Sequence, residues 1–425
     1  MLIRNATIHT AVQREPIAGD VLVKDGKIAA VGKNLTAEGG EVFDASGLNL
    51  YPGFVEAHCH IGLHGYGIGY EGADYNEMND TLVPQLRAID GIEPTDPTFL
   101  QAARAGVTTV CTGPGSANVI GGTFVALKTI GTRVDDMVVR DGAAMKCAFG
   151  ENPKRCYREK GVSTRMTTAA KIREMLLRAR DYKQKKDAGK DVAFDIKLEA
   201  LLPVLEGKMP LKAHAHQAND LFTAIRIAKE FGVKLTLEHC TEGHLVAEQL
   251  AREGYPLAVG PSFGHASKFE LRNKTFATPG ILAKAGGHVS IITDSPVIPQ
   301  MYLPLCAGLA VASGMDRYDA LRAITIHAAE HIGIAERVGS IEAGKDADLV
   351  LCRGDVMEVS GEVAAVFING KPVTLENIEG FGKAVLEDIH PRDSWRASKA
   401  FRSHIAVESA KRCLMESVKL AGGEL

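Results

Sequence analysis

The feature that most constrains this chain is a unit that recurs through its middle: a helical run, a glycine, then a short apolar strand. Asp96-Pro97 forms an N-cap and first helical position, the run continues through Phe99-Leu100-Gln101-Ala102-Ala103-Arg104, and Gly106 stops it before Val107-Thr108-Thr109-Val110-Cys111. The unit returns as Leu221 to Phe231 with Gly232 and Lys234-Leu235-Thr236-Leu237-Glu238-His239. It returns again as Leu245 to Glu253 with Gly254 and Pro256-Leu257-Ala258-Val259, and as Ile281 to Ala285 with Gly286-Gly287 and Val289-Ser290-Ile291-Ile292-Thr293-Asp294. Helices alternating with strands over short connections imply a parallel sheet. A series this long predicts an α/β fold, a closed (β/α)8 TIM barrel over residues 51–335. The alternative, an open doubly wound sheet, lacks a GxGxxG after any strand.

Either side of that region the rhythm is different. Residues 1–50 carry short apolar runs (Leu2-Ile3, Val21-Leu22-Val23, Ile28-Ala29-Ala30-Val31) broken by Gly26, Gly32 and Gly39-Gly40, the pattern of hairpins. Similar runs return within 336–375, ending in the turn Asn369-Gly370, so the two ends are expected to build one small β-sandwich domain. The charged segment 164–208 reads as a solvated helical connection. Residues 376–425 hold Trp395 and a helical stretch from Ala406 to Leu420, an extension whose apolar positions could face the barrel or a second copy in a homo-oligomer.

A net charge of −3, with no long block of one sign, gives no electrostatic footprint for nucleic acid and suits a small-molecule substrate. The eight cysteines are scattered without CxxC pairs, as in a reducing compartment. No segment approaches the roughly 20 apolar residues of a membrane span, and the first residues lack a continuous apolar stretch, so the expectation is a cytoplasmic protein.

The candidate chemistry sits at strand ends, where a barrel places its active site. In Phe54-Val55-Glu56-Ala57-His58-Cys59-His60, alternation puts His58 and His60 on one face with Glu56, and two imidazoles so spaced can converge on a cation. Lys212, His214 and His216 share a face of the next candidate strand, His239 ends another, and Asp294 ends a later one on the face of Ser290 and Ile292. Lys146 lies in the apolar run Gly142 to Phe149, where an ammonium is costly to bury. Each residue alone has a structural reading, as a core histidine, a capping aspartate or a snorkelling lysine. Their joint placement favours a metal site.

The ordered set His58-x-His60, Lys146, His214, His239 and Asp294 resembles the amidohydrolase superfamily. Tyr51-Pro52-Gly53-Phe54, Gly106-Val107-Thr108-Thr109-Val110, Lys146-Cys147-Ala148 and the segment from Gly339 to Val350 extend the likeness over about residues 1 to 375. His214-Ala215-His216 is similar to the branch holding imidazolonepropionases and prolidase-type dipeptidases. The resemblance implies one or two divalent ions per chain, zinc first. His58, His60 and Asp294 would hold one, His214 and His239 the other, and a CO2-derived carbamate on Lys146 would bridge both. Such ions lie roughly 3.5–4 Å apart and share an activated hydroxide. It further implies hydrolysis of an amide-type C–N bond in a dipeptide, an N-acyl amino acid or a cyclic amide, with Asp294 as general acid/base and His216 and His239 orienting the carbonyl.

Three departures qualify this. Glu56 stands where the family usually has aspartate, Glu151 is an alternative ligand to Lys146, and Gln217 replaces the glutamate of deaminase branches. The alternatives are a mononuclear imidazolonepropionase-like lactam hydrolase or deaminase, and a non-catalytic scaffold on the same fold, which would be expected to have lost ligands.

Overall fold

The computed structural model describes residues 1–37, 39–65 and 69–373, with 403–407, 409–411 and 415. Trp395 and most of the expected helix 406–420 lie outside the described residues.

The two chain ends form one sheet. Its strands are β1 (Leu2–Ile8), β2 (Ile17–Lys24), β3 (Lys27–Gly32), β4 (Val42–Asp44) and β5 (Asn49–Pro52) from the start, and β14 (Leu349–Arg353), β15 (Glu362–Ile368) and β16 (Lys371–Pro372) from the far end. The hydrogen-bonded order is β16-β15-β14-β5-β1-β2-β3, with β4 alongside β1, so the strands expected to build a β-sandwich are joined by hydrogen bonds into one sheet. Its apolar side chains, among them Ile3, Ile8, Val21, Leu50, Leu349 and Phe367, form a core of their own. Buried Lys128, on a barrel strand, ties this sheet to the barrel through Asp346 at 3.0 Å and through Asp348.

The barrel sheet contains, in hydrogen-bonded order, β6 (Phe54–Cys59), β7 (Val107–Thr112), β8 (Ile120–Lys128), β9 (Val138–Ala148), β10 (Leu211–Ala215), β11 (Leu235–His239), β12 (Leu257–Val259) and β13 (Val289–Ile291). β6 and β7 are parallel, as are β9 through β13. The departure from a regular (β/α)8 barrel is β8, which runs antiparallel to both its neighbours. The cause is local. After β7 the chain passes through Gly113-Pro114-Gly115 into Ile120-Gly121-Gly122-Thr123-Phe124-Val125-Ala126-Leu127, with no helical run to make the crossover that parallel strands need.

β6 and β13 stand at the two ends of this order, and the seam between them is bridged by Glu56. Glu56 Oε2 accepts from Thr293 N at 2.9 Å and Thr293 Oγ1 at 2.6 Å, while His60 N donates to Ser295 O at 2.8 Å.

The helical units form as their local chemistry requires. Helix Pro97–Arg104 starts on Asp96, whose carboxylate accepts from Thr98 N. Helix Ala218–Phe231 stops at Gly232 in the left-handed conformation that a residue without Cβ adopts freely. The connection between β9 and β10 contains helices Arg165–Asp187 and Ile196–Leu205. Among the described residues no helix is long and apolar enough to cross a membrane.

Candidate metal centre

β6 delivers the first ligands, and it does so by breaking its own alternation. The register against β7 shifts between Glu56 and Cys59. Val55 and Ala57 pack in one core cluster with Phe124 and Ala258, whereas Cys59 packs in another with Phe54. A bulge of this kind re-aims a side chain. Glu56 therefore does not share the surroundings of the histidines, as strict alternation implied. It binds Thr293, Gln300 Nε2 at 2.9 Å and its own strand at His58 N, 3.0 Å away. His58 turns instead toward Lys146, whose Nζ lies 3.0 Å from His58 Nε2.

Backbone strain re-aims the other strand ends. His239 (φ 76), Cys240 (φ 45) and Asp294 (φ 54) adopt left-handed conformations that non-glycine residues rarely take. Glu238 and His239 are adjacent, and alternation would send them to opposite faces. With the left-handed turn, Glu238 reaches His58 and His239 reaches the ligand cluster. Asp294 lies beyond β13 and is likewise turned off the line of Ser290 and Ile292.

Two groups of candidate ligands result, each with its ligand atoms within 4.8 Å of one another: His58, His60 and Asp294, and His214, His216 and His239. Asp294 Oδ1 is 3.2 Å from His60 Nε2 and 3.8 Å from His58 Nε2, while its Oδ2 is 3.9 Å from His239 Nδ1, so the aspartate adjoins both groups. The rings of His58 and His239 are 5.0 Å apart. Lys146 meets the first group through His58, and His216 stands in the second group beside His214 and His239.

The proton positions suit metal ligation. His58 Nδ1 is 2.9 Å from Glu238 Oε2, His60 Nδ1 donates to Gly113 O at 2.7 Å, and His239 Nδ1 donates to Gly260 O at 2.8 Å. With the proton on Nδ1, each ring presents its Nε2 lone pair to the centre, the arrangement by which outer partners orient metal-bound imidazoles. His239 Nε2 and both ring nitrogens of His214 are buried without a hydrogen-bond partner. Buried polar atoms are rarely left unpaired, and the two residues that carry these atoms, His214 and His239, both stand in the second ligand group, where a cation would satisfy one nitrogen of each. The donor set of five imidazoles and a carboxylate fits zinc and similar divalent ions.

Electrostatics agree. Burial first, then neighbouring cationic groups, hold His214 and His216 well below the ordinary histidine value, and burial takes His239 down to about 4, so all three are neutral, the ligating form. Burial brings Lys146 down to about 8. Burial alone would raise Asp294, yet His239, His60 and His58 hold it ionised far below the usual carboxylate range.

Sequence reasoning missed several residues here. Glu238 accepts from Thr236 Oγ1 (2.7 Å) and pairs with Lys212 Nζ (2.9 Å) and His331 Nε2 (2.8 Å) as well as His58, a buried network beneath the ligands. Burial alone would raise Glu238, but Lys212, His331 and His58 bring it well below the usual range. Glu270, fully buried, lies 3.6 and 3.7 Å from His214 and His216 Nε2, with Lys268 Nζ at 2.7 Å. Glu151, the alternative ligand to Lys146, is in neither group. Its Oε2 accepts from Glu270 N, and its own N donates to Glu270 Oε2, both at 3.0 Å. The adjacency of Glu238 to His239 was the available signal for the network. Nothing in the loop around Glu270 marked it.

The sequence model of the amidohydrolase family matches residues 49–373, and the chain belongs to that family. The chain is similar to a solved amidohydrolase from Thermotoga maritima MSB8, at 41% identity and TM-score 0.85, over 88% of this chain and 99% of that one. It is also 30% identical to amidohydrolase tasK of Hapsidospora irregularis over 87% of its own length but only 42% of that relative's. A prolidase solved with N-methylphosphonate-L-proline shares the fold, with TM-score 0.53 and 16% identity over 87% of this chain and 98% of that one. A second family model, the CO dehydrogenase flavoprotein C-terminal domain, matches residues 341–417, so part of the C-terminal extension resembles a segment of a different class of protein.

Proposed function

We propose that this protein is a metal-dependent amidohydrolase that cleaves an amide-type C–N bond in a dipeptide, an N-acyl amino acid or a cyclic amide. The observation that carries the reading is the pair of adjoining ligand groups with Asp294 between them. His58, His60 and Asp294 would hold one divalent ion, and His214, His216 and His239 the other, with Lys146 as a carbamate joining the two. When bound, such ions supply Lewis acidity toward a carbonyl oxygen and lower the pKa of water.

The remaining work falls to the chain. Asp294 takes a proton from the attacking water on Oδ2, the oxygen on the His239 side, and returns it to the leaving nitrogen. His216 and His239 wall the approach, their rings stacked 4.6 Å apart, and Nδ1 of each is held from behind, by Thr241 Oγ1 and by Gly260 O. Glu151 fixes Glu270 against His214 and His216. Deamination is less well served: Gln217 is no proton carrier, and its Oε1 is taken by Arg165.

The test is a panel of dipeptides, N-acyl amino acids and cyclic amides, assayed with protein loaded with zinc or manganese and again after chelation. Turnover of one class that disappears with the metal and returns on reloading is the expected result. Turnover that persists in protein shown to be metal-free removes the reading.

A further inference from the structure

Among the described residues, one more group brings two imidazoles and a carboxylate together outside the active centre: His288, His327 and Glu330, each offering a ligand atom within 4.8 Å of the others. His288 immediately precedes β13, and Asp294 follows its other end. The two groups thus stand at opposite ends of one barrel strand, and this one belongs to the face where β13 begins. His327 and Glu330 lie three apart on helix Ile326–His331, where residues so spaced are neighbours on the helix surface.

The protons in this group are also positioned. His327 Nδ1 donates to Val289 O at 3.2 Å, leaving its Nε2 lone pair available. His288 Nε2 lies 2.7 Å from Glu330 Oε2, and His288 Nδ1 is buried without a hydrogen-bond partner. The two rings are 4.5 Å apart with 41° between their planes. Burial, helped by His288 and Arg322, takes His327 down to about 4, so it is the neutral form that ligates. A plain His288–Glu330 ion pair accounts for one contact. It does not account for a second, neutral imidazole beside a buried lone pair.

We propose that His288, His327 and Glu330 form a further divalent-metal site on the barrel face opposite the active centre, for an ion of the zinc class. Two imidazoles and a carboxylate are a ligand set such ions favour, and three protein ligands leave one position for water. The site is coupled to the rest of the molecule through its helix. Glu330 is followed by His331, which bonds Glu238, which bonds His58, so an ion here would hold in place the helix that supports the active centre.

The proposal is independent of the active-centre reading, and its test keeps them apart. Zinc binding to the full chain is titrated by calorimetry and counted by mass spectrometry for wild type, His327→Ala, Glu330→Gln and a His58→Ala/His60→Ala double variant, with melting temperatures on the same preparations. His327→Ala is expected to lose one zinc equivalent and to keep the metal bound by His58, His60 and Asp294. Glu330→Gln, which preserves shape, is expected to weaken that equivalent about 10–100-fold. The His58/His60 variant is expected to retain it. Equal stoichiometry and equal dissociation constants for wild type, His327→Ala and Glu330→Gln, all folded, would overturn the proposal, whatever the active centre binds.

Discussion

Replacing Glu238 by glutamine keeps the side chain's shape and removes its charge, and the structure sets the size of the effect. Lys212 Nζ lies 2.9 Å from Glu238 Oε2, and both side chains are buried. Breaking a buried ion pair by removing one partner costs about 3–5 kcal/mol, because the remaining charge loses its compensation. The same oxygen holds His58 Nδ1 at 2.9 Å, and loss of such an outer partner weakens metal binding about 10–100-fold. Glu238→Gln is therefore expected to lose about 3–5 kcal/mol in urea denaturation of the metal-free protein. In chelator competition it should show the 10–100-fold weaker affinity. A second substitution separates the two effects. Lys212→Met in the Glu238→Gln background removes the stranded ammonium, so most of the stability should return while the metal affinity does not. If Glu238→Gln changes stability by less than about 1 kcal/mol, a value typical of an exposed pair, the buried network is not what holds this part of the barrel. If its metal affinity equals wild type, Glu238 does not position His58.

Asp294→Asn keeps an oxygen ligand but loses the basic group that adjoins both clusters, and kcat should fall about 10²–10⁴-fold with metal content at most partly reduced; near-wild-type kcat with a lowered melting temperature would make Asp294 structural. For Lys146, burial moves the amine from 10.5 to about 8. Between those values the folded metal-free protein holds fewer protons than the unfolded chain, so its stability rises with pH across that window. Carbamate formation consumes the neutral amine, so bicarbonate-dependent reactivation of metal-free protein should rise through pH about 8. Lys146→Ala should abolish that dependence and be partly rescued by a short-chain carboxylate, whereas a flat pH profile would remove the carbamate. Glu56→Ala strands Thr293 N, Gln300 Nε2 and His58 N, and at roughly 1–3 kcal/mol per unsatisfied buried donor it should cost about 3 kcal/mol or more; a loss under 1 kcal/mol in denaturant would mean that the seam does not depend on it.

The helix–glycine–strand units were legible because periodicity and capping are local, and they place β7, β11, β12 and β13 where the chain has them. Six histidine, lysine and aspartate ligand candidates were legible for a related reason: all lie at or near the ends of apolar strands. What escaped was non-local or against pattern. The antiparallel β8 replaces a crossover helix, and its apolar run reads the same in either direction. The bulge after Glu56 and the left-handed turns at His239 and Asp294 break the period-two rule by which faces are assigned. Glu238 meets His58 across 180 residues and His331 across 93, and such partners become visible only when the barrel closes. Glu270 comes from a single 3-10 turn, Phe269–Leu271, too short for any periodicity to report direction.

The most direct measurement of the central claim is an anomalous-difference map at the zinc edge, from crystals of protein that hydrolyses an amide substrate. One peak bounded by His58, His60 and Asp294 is expected, with a second bounded by His214, His216 and His239 and carbamate density on Lys146 between them. No peak in either group, in crystals of protein that remains active, would contradict that claim.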